Sequence, residues 1–193
     1  MEEKGRRQAV KVSWLSSADS VRREGEILQL LKARGVPNVE ECIAIDSYPC
    51  DRRRTLLLLS PVFEEAPVNS LLDSRDVRRA VDCLLTTMLS MVLEASVAVA
   101  DIQPLIGRET GNVLWIDFSE ALTLSIPVTT LELALLTSLV SETISLIPET
   151  EYGYASRVLD RELTRISGSN DQYRVDLVDQ VLELIPFIDD ETK

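Results

Sequence analysis

Two aspartates, each beside a short apolar run, constrain this chain more than any other feature. Val99-Ala100-Asp101-Ile102-Gln103-Pro104 carries the first, and Gly111-Asn112-Val113-Leu114-Trp115-Ile116-Asp117-Phe118 the second. Leu105-Ile106 and Val113 to Ile116 read as two short strands, with Glu109-Thr110-Gly111 as the turn between them. One aspartate stands just before this hairpin and the other at its end. Alone, Asp117 has two readings, a cap of the following turn or a chemical ligand. Asp101 alone reads as a loop residue after an apolar helix.

The segments around this hairpin set the fold class. Residues 8 to 14 alternate, with Val10, Val12 and Trp14 on one side and Ala9, Lys11 and Ser13 on the other, as in a strand. Ser16, Ser17, Asp19 and Ser20 offer caps for a helix to about Arg34, which Gly35 and Pro37 end. Val39 to Asp46 predicts a strand, Tyr48 to Asp51 a turn, and Thr55 to Leu59 a buried central strand. Asp73 and Ser74 then cap a long helix from Arg75 to about Ala98, with Val77, Val81, Leu84, Leu85, Met88, Leu89 and Val92 as its stripe. Thr129 and Glu132 have capping-box spacing ahead of an apolar helix from Leu131 to Ile147, closed by Pro148. Two further helices are predicted, near Ala155 to Ile166 and Asp171 to Leu184. Strands come first and helices second, so the chain is α+β.

Composition removes several functions. The net charge of -12 argues against nucleic-acid and acidic-membrane binding, which select cationic faces. The arginine clusters at Arg6-Arg7, Arg52 to Arg54 and Arg75 to Arg79 read as solvated surface. With no histidine, nucleophile–histidine systems and histidine metal sites are excluded. Cys42, Cys50 and Cys83 are too few and too dispersed for a disulfide framework, and their odd number without a signal peptide predicts an intracellular setting. No apolar run is long enough for a membrane span.

Glu24 is the unusual residue of the first helix. It lies three residues after Val21 and four before Leu28, on the apolar face. Either it is buried and needs a cation, for which Lys11 is the candidate, or it stands at the edge of the stripe and reaches water. A phosphotransferase needs a lysine for phosphate oxygens and a glutamate to hold that lysine. It also needs one aspartate for magnesium and another for the substrate hydroxyl.

In that order and spacing the chain resembles the protein kinase-like family, in particular its fungal-type and other small atypical members. Ala9-Val10-Lys11 looks like the third-strand lysine motif, and Glu24 like the glutamate of helix C. Leu56 to Ser60 looks like the fifth strand, and Pro61-Val62-Phe63 like the hinge that meets adenine. Val99-Ala100-Asp101 stands where His-Arg-Asp is usual, and Asp117-Phe118-Ser119 where Asp-Phe-Gly is usual. The resemblance covers about residues 8 to 122. It implies a two-lobed fold with a reduced N-terminal β-lobe over residues 1–63 and a mainly helical C-terminal lobe over 64–193. It further implies ATP and magnesium as cofactors, with Asp101 catalytic, Asp117 on the metal, and Lys11, Glu24, Pro61 and Phe63 around the nucleotide.

The departures point the other way. None of the seven glycines forms a phosphate-cradling loop. Only ten residues precede Lys11, too few for two earlier strands, as expected of a fragment or a natural short form. Val99, Ala100 and Gln103 replace the usual catalytic-loop cations, the stretch that supplies a second metal-binding asparagine is deleted, and Ser119 replaces glycine. If each loss removes on the order of 2–4 kcal/mol of transition-state stabilisation, transfer slows by many orders of magnitude. The leading expectation is therefore a kinase-like pseudoenzyme with a protein partner, serving as a binding or regulatory module with weak nucleotide binding. An active atypical phosphotransferase using Asp101 and Asp117 is the alternative, and an acidic interaction domain without nucleotide the third reading. If two strands are missing, the edge of the first strand is open to pairing with a second copy.

Overall fold

A computed structural model gives the structure of the protein and describes residues 9–14, 17–60, 65–66, 74–107, 111–166 and 172–185. Strand β1 (Ala9–Val12) is shorter than predicted, and its apolar side faces outward. Val10, Val12 and Trp14 are 57%, 38% and 74% exposed, while Ser13 is buried and Lys11 half-buried. The polar side turns inward because it has partners there. Ser13 Oγ accepts from the Thr55 amide at 2.8 Å, and Lys11 meets two carboxylates.

Helix α1 (Ala18–Ala33) buries Val21, Ile27, Leu28 and Leu31. Ser17 occupies its N-cap position without a side-chain bond to the helix, because its hydroxyl is bonded to the Trp14 backbone. Gly35, at φ +72°, follows the last turn as the sequence predicts. Strands β2 (Glu41–Tyr48) and β3 (Asp51–Ser60) form a hairpin, and β1 pairs antiparallel with the far side of β3. The order β1-β3-β2 makes β3 central, as predicted, with Thr55, Leu57 and Leu59 buried.

Gly25 sets how closely helix and sheet approach. A Cβ there would lie 2.6 Å from Leu57 Cδ1 and 2.7 Å from Ile45 Cδ1. Its lack of a side chain lets α1 press its Glu24 turn against the sheet.

Strand β4 (Glu65–Ala66) precedes helix α2 (Ser74–Leu89), which continues as a π-helical turn over Ser90–Glu94. The predicted helix to Ala98 is too long. Ser96 turns the backbone at φ +54°, and Val97–Val99 forms strand β5, paired with β8 (Ala121–Thr123). An apolar run that is buried throughout carries no period, so β5 read as a continuation of the helical stripe. Strands β6 (Gln103–Gly107) and β7 (Val113–Ile116) form the predicted hairpin, with β4 on its outer side.

Helices α3 (Thr130–Ser145), α4 (Tyr152–Ile166) and α5 (Gln172–Glu183) complete the chain. The capping box at α3 is present. Glu132 accepts from the amide and hydroxyl of both Ser125 and Thr129, which holds its carboxyl down at about 2. The structure is thus mixed helix and strand, as expected. Among the described residues no single helix is long and apolar enough to cross a membrane. Asp73 and the predicted boundary at residue 63 lie outside the described residues.

Candidate functional site: a lysine and three carboxylates at the end of β7

Lys11 from β1, Glu24 from α1 and Asp117 from the end of β7 meet at one point. Lys11 Nζ donates to Glu24 Oε1 and to Asp117 Oδ1, each at 2.9 Å. It also lies 2.7 Å from Glu24 Oε2, which is buried and has no hydrogen bond of good geometry. The Phe118 amide donates to Glu24 Oε1 at 3.2 Å. Of the two outcomes left open for Glu24, the structure shows the buried one, at 0% exposure.

The sequence did not single out a further carboxylate, Glu40. After α1 the chain turns at Asn38, φ +56°, and runs beside β7. Trp115 N donates to Asn38 O at 2.7 Å, and Glu40 N to Trp115 O at 2.9 Å. Asn38 Nδ2 also reaches Thr87 Oγ1 of α2 at 3.0 Å. This splice carries Glu40 beneath the aspartate, where its Oε1 accepts from the Asp117 amide at 2.9 Å. The amide is available because Asp117 sits at φ +59°, off the ladder that ends at Ile116. The only sequence signal was a glutamate next to Val39 in a predicted strand, too little to mark it.

The charges are unequally tuned. Burial lowers the Lys11 pKa, but its bonds to Glu24 and Asp117 outweigh this and raise it above the ordinary value. Burial raises Glu24, and Lys11 with the Phe118 amide only partly offsets that. Burial also raises Asp117, yet bonds from Lys11 and Ser119 prevail and hold it low. Glu40 is pushed up to about 7, chiefly by burial, against the pull of the Asp117 amide.

Glu40 therefore gives the fold a pH dependence. In the unfolded chain it ionises near its ordinary 4.5, and in the fold near about 7. Below 4.5 both states are neutral and no penalty applies. As pH rises through this window the unfolded state releases its proton first, so stability falls, by on the order of 3 kcal/mol in total. Glu40→Gln keeps an acceptor for the Asp117 amide and removes the titration. Urea denaturation of this variant should show a flatter stability profile across the window and a more stable protein at its alkaline end.

Asp101 is placed differently. Only Ala100, Asp101 and Ile102 separate β5 from β6, and residues 117–120 separate β7 from β8. The registers Val99 with Ala121 and Gln103 with Ile116 set these two connections opposite each other. Asp101 and Asp117 thus share one end of the hairpin, and both have positive φ. Yet Asp101 is exposed, and no hydrogen bond or ion pair joins it to Lys11, Glu24 or Asp117. Pro61 and Phe63 lie outside the described residues.

Among the described residues no group of three or more His, Cys, Asp or Glu side chains is arranged to hold a metal ion. Asp117 is a single carboxylate whose Oδ1 is already bonded to Lys11. Among the described residues, a cavity of about 280 Å³ borders the cluster at Glu40, lined also by Val36 and Val39 at the end of α1, and another of about 280 Å³ is lined by Ile126 to Val128 and α5. One ammonium group, that of Lys11, joins three distant segments of the chain.

No protein-family model matches the chain, and no curated protein matches it by sequence. Among solved structures it is similar to the kinase PK-1 of the Cydia pomonella granulovirus, with a TM-score of 0.54 and 10% identity over 92% of this chain and 79% of that one. At that identity the likeness is one of fold, and the fold is kinase-like.

Proposed function

We propose that this protein is a kinase-like pseudoenzyme, a binding or regulatory module in which the lysine–carboxylate cluster is kept as a structural joint. The observation that carries the reading is the three-residue connection between β5 and β6. Phosphoryl transfer relies on positioning and charge stabilisation. A connection of that length leaves no room for a second metal ligand and a cation beside Asp101. The joint fits a two-lobed arrangement with a reduced N-terminal β-lobe, in which Lys11, Glu24, Asp117 and Glu40 hold the first segments to the β6–β7 hairpin. The proposed ligand of the module is another protein, and nucleotide binding, if retained, is weak.

The assembled Lys11–Glu24–Asp117 geometry favours a second reading, an active atypical phosphotransferase with ATP and magnesium as cofactors. Thermal melting separates the two. On the first reading millimolar Mg-ATP shifts the melting temperature by no more than ATP alone. A magnesium-dependent shift of several degrees that disappears in Asp117→Asn would favour the second.

A further inference from the structure

We propose that the cavity at the end of α1 binds a small organic cation, an ammonium, guanidinium or amidinium group on a compact apolar body, which it holds on Glu40. The cavity measures about 280 Å³ and is lined by Lys32, Gly35, Val36, Val39, Glu40 and Glu41. Lys11, Glu24 and Asp117 do not line it, so the site stands whether or not phosphate transfer is retained. Glu40 is 7% exposed, and its Oε1 is committed to the Asp117 amide at 2.9 Å. Among the described residues its Oε2 receives no hydrogen bond. A carboxylate oxygen buried to that degree needs a donor, and the cavity is where one can enter. Gly35 leaves the rim open, since nothing lies within 4 Å of where a Cβ would stand.

Charge and volume select the occupant. Lys32 is paired with Glu41, so these two lining groups offset each other and Glu40 remains. Behind it, Lys11 is already shared between Glu24 and Asp117. Among the described residues one ammonium group thus stands against three carboxylates, and the excess negative charge draws a cation and repels carboxylate or phosphate ligands. A metal ion alone needs several oxygen ligands, and Glu40 offers one free oxygen. Val36, itself buried, and Val39 supply an apolar wall for the body that carries the cation. The volume lies at the small end of ligand pockets. At about 30 Å³ for each water-sized group, roughly nine non-hydrogen atoms fit, far fewer than a nucleotide has. A free amine and the arginine side chain of another protein both present this chemistry.

The test titrates the full chain with benzamidine and with benzamide, its neutral counterpart of the same shape. It is run at pH 8, where Glu40, which ionises near about 7, is charged. Ligand-observed NMR and the melting temperature follow binding. Saturable benzamidine binding in the low-millimolar range is expected, the affinity that so few atoms allow, with a rise in melting temperature at saturation. Benzamide should bind at least roughly tenfold more weakly. Glu40→Gln keeps an acceptor for the Asp117 amide and should lose the preference for the cation. Glu41→Gln leaves Lys32 without this carboxylate at the rim and should weaken benzamidine about twofold to fivefold, a modest change because the pair is exposed. A capped Gly-Arg-Gly peptide that binds as tightly as benzamidine assigns the site to an arginine of a partner protein, and far weaker binding assigns it to a free cation. Equal binding of benzamidine and benzamide, benzamidine binding unchanged in Glu40→Gln, or no binding at tens of millimolar would overturn the proposal. Phosphate transfer enters none of these readouts, so they stand apart from a failure of the pseudoenzyme reading.

Discussion

Gly111→Ala is expected to destabilise the fold by on the order of 4 kcal/mol. Two causes combine. Gly111 has φ +62°, where a side chain is strained. A Cβ there would also stand 2.1 Å from the Asp76 carbonyl oxygen and 2.7 Å from its carbon, both backbone atoms in the first turn of α2. Neither can rotate away, so α2 or the hairpin must move. Gly35→Ala separates the two causes. Gly35 has φ +72° but nothing within 4 Å of an added Cβ, so it should lose only about 1 kcal/mol. Urea midpoints of both variants make the comparison, and equal losses would show that the close approach to Asp76 is not limiting.

Lys11→Met comes second, at about 3 kcal/mol near neutral pH. Removing one partner of a buried pair leaves the other charge uncompensated, a loss that reaches 3–5 kcal/mol when both are buried. Here Glu24 is fully buried, but the Lys11 side chain is 34% exposed, so screening reduces the figure. The pH dependence has a definite sign. Burial already raises Glu24, and without the ammonium nothing but the Phe118 amide opposes that rise. A raised carboxyl favours the fold at low pH and loses that advantage as pH rises, so the deficit of Lys11→Met should shrink on acidification. The double variant Lys11→Met, Glu24→Gln should recover much of the loss at neutral pH. A double-mutant cycle by chemical denaturation measures the coupling, and a deficit independent of pH would contradict the joint.

The partners in this joint were legible because each carries its own local signal. Lys11 alternates with valines, Glu24 interrupts a helical stripe, and Asp117 closes a strand. Glu40 has no such signal. Its burial is created by the pairing of residues 38–40 with Trp115, a contact across the chain that no local pattern encodes. The faces of β1 were legible as a pair, but not which of them is inward. Apolar residues are expected inside, and here the buried carboxylates drew the lysine face in, leaving Val10, Val12 and Trp14 out. The same logic explains the overlong second helix. Val97, Ala98 and Val99 are buried against β8, and a three-residue strand is too short to show a period of two. Asp101 was placed at the correct end of the hairpin, but its isolation became visible only with the length of the β5–β6 connection.

On the proposed function, this kinase-like fold keeps its charge joint and has lost phosphate transfer. The most direct measurement is a sensitive assay of ATP turnover and phosphate incorporation with excess magnesium, comparing the native chain with Asp101→Asn and Asp117→Asn. Background rates are expected, indistinguishable among the three proteins, with Asp101→Asn melting like the native chain. Turnover above background that is abolished in both variants would contradict it and establish the chain as an active phosphotransferase.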